Sequence, residues 1–200
     1  MGWSFYNSSG ELQINDGGST NPATANFDLA SYLLVGNAGS TGIAISANGE
    51  VTMAAQPSVS AANTALDSNV TGNSTVATVD FNSEIFDQNA DFASDTFTAP
   101  VTGKYLVLAC VRVTGLDGDE TTFYLQAIAS NYTWVAAAGD ITKDANSQFC
   151  QYISAVIDMD ASDTCTIGCK VGGTGTDSVD ISGDANANGI RTFVSYHLLA

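Results

Sequence analysis

The chain has 200 residues, 44% of them apolar and 13% charged, so it is long enough for one substantial domain and too apolar to be disordered. Its 21 acidic residues outweigh five basic ones for a formal charge of -16, and Lys104, Arg112, Lys143, Lys170 and Arg191 form no cluster that could neutralise phosphates, which excludes nucleic acid as a partner. No basic leader is visible and no apolar run approaches the roughly 18 residues of a membrane span, so the expectation is a soluble chain with no membrane insertion and no secretory export.

In chain order, runs of Val, Ile, Thr, Tyr and Phe alternate with clusters of Gly, Asn, Asp and Ser, which predicts strands nearly everywhere and almost no helix. Residues 1–32 read as an N-terminal attachment segment. Within it, Trp3 to Ile14 (WSFYNSSGELQI) predicts a hairpin turning at Asn7-Ser8-Ser9-Gly10. Residues 33–56 are short apolar pieces broken by glycines, with Asn48-Gly49 the strongest hairpin dipeptide in the chain. They predict a β-rich connector or short shaft in which several chains supply one another's missing core.

Residues 57–200 carry longer predicted strands: Thr75 to Phe81, Thr96 to Ala99, Lys104 to Thr114, Thr121 to Ala129, Thr133 to Ala137, Gln148 to Met159, Thr164 to Val171 and Ile190 to Leu199. That number suits an all-β sandwich or jelly roll. In KYLVLACVRV, Tyr105, Val107, Ala109, Val111 and Val113 alternate with Leu106, Leu108 and Cys110, so both faces of one strand are apolar. A two-layer sandwich leaves one face of each sheet wet, and a second apolar face therefore predicts a subunit interface. Cys110, Cys150, Cys165 and Cys169 sit in apolar runs and read as buried free thiols. On one strand Cys165 and Cys169 lie about 13 Å apart, too far for a disulfide.

Several segments of 57–200 resemble the C1q-like domain of the C1q and tumour-necrosis-factor group. QPSVSA at 56–61 is similar to its opening strand, VDFNSEIFDQNADF at 79–92 to its second strand and following loop, and TFVSYHLL at 192–199 to its last strand. FTAPVTGKYLV at 97–107 resembles the Phe-Thr-x-Pro-x-x-Gly-x-Tyr signature, with Phe97, Pro100, Gly103 and Tyr105 in place. Pro100 fixes φ at a turn, Gly103 allows a left-handed residue, and Phe97 and Tyr105 anchor two strands in the core. Val59 stands where the family usually has Phe, and Ser195 where it commonly has Gly. GIAISANGEVTM running into QPSVSA resembles the connector that leads into such domains in phage fibre and tail proteins. The resemblance implies a homotrimeric jelly-roll head, and with it a virion structural protein assembled in the host cytoplasm. Its expected role is a fibre or receptor-binding tip that joins other virion proteins through its N-terminus and a host-surface glycan or protein through its head. A capsid decoration or head fibre, or a non-viral C1q-like recognition module, is the alternative.

Catalytic chemistry has little to draw on, and the expectation is no enzyme. His197 with Ser195 lacks an identifiable Asp to orient the imidazole, and His197 reads instead as a packed or trimer-axis residue. Gly172, Gly173 and Gly175 follow a strand but open no helix, so no nucleotide loop is present. Asp184, Asn186 and Asn188 match the first half of a calcium loop, with Ser195 where the bidentate acid belongs, and Asp117, Asp119 and Glu120 form a second acidic loop. Calcium is the candidate cofactor for both, none is required, and solvated turns are the alternative; calcium near the trimer apex in the resembled family adds to the case. Tyr132 and Trp134, with Asp117 and Asp119, are the candidate receptor contacts, the aromatic rings stacking on a sugar; core packing is the alternative for Trp134.

Overall fold

Period-two alternation turns each strand into an inner and an outer face. The computed structural model, which describes residues 4–7, 12–15, 43–45, 48–139, 148–183 and 189–200, is built from such strands and contains no helix among them. β1 (Ser4–Asn7) pairs antiparallel with β2 (Leu12–Asn15), as the N-terminal hairpin requires; its turn lies outside the described residues. β3 (Ile43–Ile45) pairs with β4 (Val51–Met53) around Asn48-Gly49, where Gly49 has φ +85°.

The remaining strands are β5 (Ser58–Ala62), β6 (Leu66–Thr71), β7 (Ala77–Thr78), β8 (Ser83–Asp87), β9 (Phe92–Ala93), β10 (Thr96–Thr98), β11 (Gly103–Thr114), β12 (Thr122–Ala129), β13 (Thr133–Gly139), β14 (Gln148–Met159), β15 (Thr164–Gly172), β16 (Val179–Ser182) and β17 (Phe193–Leu198). They form two antiparallel sheets. The smaller runs β13-β12-β15-β10-β9, with β7 against β15; the larger runs β6-β16-β11-β17-β5-β8, with β14 on the other edge of β11. β11 is the hinge of this order, because β14 follows it from Gly103 opposite Met159 to Thr114 opposite Gln148, while β17 and then β16 take its other edge.

The core lies between the sheets. Tyr105, Val107, Ile157, Met159 and Tyr196 of the large sheet meet Phe97, Phe123, Leu125 and Ile167 of the small one, all essentially inaccessible. Phe97 stacks on Tyr196 with centroids 4.5 Å apart and planes 8° apart, and lies 5.4 Å from Tyr105. Each such buried side chain contributes about 1.5–3 kcal/mol over leaving it in water.

Four sequence expectations change. Thr75 to Phe81 is not one strand: only Ala77 and Thr78 pair with β15, although Val79 and Phe81 still bury their side chains. Ile190 to Leu199 shortens to β17. The left-handed role given to Gly103 is replaced by a steric one, since an added Cβ there would stand 2.6 Å from the Ala200 carbonyl oxygen that accepts a hydrogen bond from the Lys104 N–H at 2.7 Å. Of the four free cysteines, Cys110, Cys165 and Cys169 are buried but Cys150 is exposed, because its side chain points to the outer face of the edge strand β14. Burial pushes the Cys165 and Cys169 thiols up to about 12.

Candidate functional site

The outer face of the large sheet is built by register. Leu106 on β11 lies between His197 of β17 and Val156 of β14, Leu108 between Ser195 and Ser154, and Cys110 between Phe193 and Tyr152. One strand further out, Ser58, Ser60 and Ala62 of β5 lie opposite His197, Ser195 and Phe193. Tyr152 is 65% exposed, Val156 47% and Phe86 46%, and Leu108, Tyr152, Ser154 and Phe193 border a shallow depression of about 380 Å³. β11 is thus apolar on both faces along Tyr105 to Val111: the inner face is buried in the core, and on the outer one Leu106 and Leu108 are half-buried while Cys110 is buried.

Polar groups alternate with the apolar ones on this face, Ser195 and Ser154 flanking Leu108 within it. Ser58 Oγ and His197 Nδ1 share a hydrogen bond of 2.9 Å, the Ser195 hydroxyl donates to Ser60 Oγ at 3.2 Å, and the Phe86 and His197 rings lie 6.5 Å apart. Ser195 and His197 thus each bond a serine of β5. At one end, Lys104 and Asp158 form an exposed ion pair of 3.3 Å.

The other candidate residues do not gather at one place. Tyr132 and Trp134 are 66% and 46% exposed at the β12–β13 turn and on β13. Asp117 and Asp119 occupy the β11–β12 loop, at the far end of β12, roughly 25 Å along an eight-residue strand. Glu120 is 2% exposed and turned inward: its carboxylate accepts hydrogen bonds from the Asp117 N–H at 3.0 Å and the Gly118 N–H at 3.1 Å. The loop packs so closely that a side chain at Gly173, which has φ +132°, would strike the Asp119 carbonyl. Asp184, Asn186 and Asn188 lie outside the described residues. Among the described residues no three His, Cys, Asp or Glu side chains come together as metal ligands.

Two polar concavities escaped sequence reasoning because the residues are far apart in the chain. One, of about 370 Å³, is lined by Asp80, Asn82, Glu84, Ser94 and Asp95. Partial burial, then the charge of Asp95 and a hydrogen bond with it, raise the Asp80 carboxyl above its ordinary value. Burial likewise raises Asp67, partly offset by the Asn63 amide, and raises Asp91 beside Asp87. The second concavity, of about 290 Å³, brings Tyr132 and Asn131 against Asp158 and Asp160.

No protein-family model matches this sequence, and no curated protein matches it. Among solved structures, the globular domain of zebrafish complement 1qA protein is similar at a TM-score of 0.50 and 14% identity, over 72% of this chain and 98% of that one. Murine APRIL is similar at 13% identity and a TM-score of 0.47 at pH 8.5, over 72% of this chain and 99% of that one, and at 12% and 0.48 at pH 8.0 with the same coverage. Identities this low speak for the fold alone. The chain has a C1q/TNF-like jelly-roll fold, with two antiparallel sheets in the arrangement described above.

Proposed function

We propose that the chain is a non-catalytic adhesion subunit that closes into a homotrimer through the outer face of its large sheet and forms the receptor-binding tip of a phage fibre. The observation that carries the reading is the apolar patch at the centre of a sheet, where Tyr152 and Val156 are exposed beside half-buried Leu106, Leu108 and Phe193, with the serines of β5, β14 and β17 among them and an ion pair at one end. A contiguous apolar patch with a polar rim is the anatomy of a subunit contact. Three copies turned about one axis would cover all three such faces and leave no open end for further growth.

Attachment to a fibre is supported by how the connector meets the head. The Gln88 side-chain amide donates to the Met53 and Ala54 carbonyls at 2.8 Å each, Asn89 donates to Ala55 at 3.1 Å, and Gln56 donates to Leu198 at 2.7 Å. The entering chain is therefore tied to the same end of the head as β17's last residues. In this reading residues 1–32 hold the particle and the head loops meet the host surface, where three weak sites act together.

Mass photometry tests the assembly: the expected particle weighs three times the 20.6 kDa chain, and a monodisperse monomer overturns the trimer. Antibody labelling of purified particles tests the fibre, with label expected at fibre tips and blocked adsorption to host cells. The zebrafish likeness also suits a non-viral recognition module, which absence from purified particles would favour.

A further inference from the structure

The second polar concavity sits where two turns meet. The β12–β13 turn is fastened to the β14–β15 turn, since the Ser130 N–H donates to the Thr164 carbonyl at 3.0 Å and the Asn131 amide donates to Asp163 Oδ2 at 2.8 Å, which also accepts from the Asp160 N–H at 2.9 Å. Asp163 is thus spent on holding the two turns together, and the space between them is lined by Asn131, Tyr132, Asp158 and Asp160. Asp158 presents Oδ1 to Lys104 at 3.3 Å, and Asp160 presents Oδ1 to the Thr102 hydroxyl at 3.5 Å. The second oxygen of each carboxylate has no partner among the described residues. Beside them stands the Tyr132 ring, two-thirds exposed on a turn that is held in place.

We infer that this concavity binds the ring of a neutral hexose, an inference that rests on the reading of the chain as an adhesion head. The Tyr132 ring offers a flat apolar surface to the C–H face of a sugar, a contact of the kind that makes exposed aromatics useful when one side of a ligand is apolar and the other wet. The free oxygens of Asp158 and Asp160, two residues apart and on the same side, accept hydrogen bonds from neighbouring hydroxyls, and charged acceptors make the stronger bonds. At about 290 Å³ the space is at the lower end of the range for small-molecule sites, roughly 300–1,000 Å³, which suits one ring rather than an oligosaccharide. Two carboxylates on a chain of charge -16 repel sugar acids and phosphorylated glycans, which selects neutral rings. The aromatic wall and the ion pair of Asp158 with Lys104 argue against a bare metal ion as occupant. Each site alone holds its sugar at about millimolar strength, and three sites on one trimer gain about 10²–10⁴ in avidity.

Saturation-transfer NMR on the full chain, with methyl glucoside, methyl galactoside, methyl mannoside and glucuronate as probes at about 10 mM, tests the site. At least one neutral hexoside should receive saturation and glucuronate should not. Tyr132→Phe should keep the effect, Tyr132→Ala should weaken binding about tenfold, and Asp160→Asn, which preserves shape, should weaken it similarly. Equal signals from glucuronate, full binding by Tyr132→Ala, silence from all three hexosides, or loss of binding on adding EDTA would each overturn the inference. Mass photometry on the same samples separates the two readings: a trimer that binds no hexoside removes the sugar site and leaves the assembly standing.

Discussion

Adjacent residues of β11 make opposite predictions. Leu108 points out of the large sheet, between Ser195 and Ser154, and Val107 points into the core with no accessible surface. Replacing Leu108 with Asp places a carboxylate in the apolar contact between copies, where an unpaired charge costs about 3 kcal/mol or more. That is roughly two orders of magnitude per contact and about six over a three-fold assembly, enough to dissolve a trimer at micromolar concentration. In the isolated subunit the same carboxylate meets water, so the urea midpoint should move by no more than about 1 kcal/mol of stability. Val107→Asp buries its charge in the core at a cost comparable to the 5–15 kcal/mol or so that holds a whole domain, and it should not fold. Mass photometry reads the assembly and circular dichroism with urea reads the fold. A Leu108→Asp protein that stays trimeric shows that copies meet elsewhere. One that unfolds as Val107→Asp does shows that the outer face is covered by its own chain, and the proposed assembly falls with it.

Phe97→Ala removes a ring that stacks on Tyr196 and tilts against Tyr105, and urea denaturation should show a loss of about 3–5 kcal/mol; a change below about 1 kcal/mol would mean the aromatic trio does not anchor the sheets. Stability should rise as the pH falls. Asp67, Asp80 and Asp91 bind their protons more tightly folded than unfolded, so the stability they confer is complete below the ordinary carboxylate value of 3.8 and is lost as the pH climbs through their raised values. A urea midpoint lower at pH 4 than at pH 7 contradicts this. In the monomeric Leu108→Asp protein, a disulfide reagent should titrate Cys150 rapidly and reach Cys165 and Cys169 only on unfolding, because burial keeps those two thiols protonated. Fast reaction of more than two thiols in the native state would place the core cysteines wrongly.

Much of this was readable without coordinates. The double alternation in KYLVLACVRV announced a strand apolar on both sides, and the Phe97, Pro100, Gly103, Tyr105 spacing marked two of the three aromatic rings that meet between the sheets. The burial of Glu120 was not legible, since composition cannot tell a solvated carboxylate from one folded back onto its own loop. Gly103 was found for the wrong reason, because the group that excludes a side chain there is the carbonyl of Ala200, 97 residues further on. β6 and β16 were not anticipated at all; LDSNVT and VDIS are short, and they are strands because β6 pairs with β16 and β16 in turn with β11, which carries Val179 and Ile181 into the core.

By itself, then, the sequence determined that the chain is all-β, which residues alternate, and which strand is apolar on both faces, for these follow from the two-residue period of a single extended segment. Only the tertiary structure decided that β14 and β17 flank β11, that Tyr132 lines one concavity with Asp158 and Asp160, and that Asp80 meets Asp95. Those are pairings between segments distant in the chain, set by register and loop closure, and no local pattern carries them.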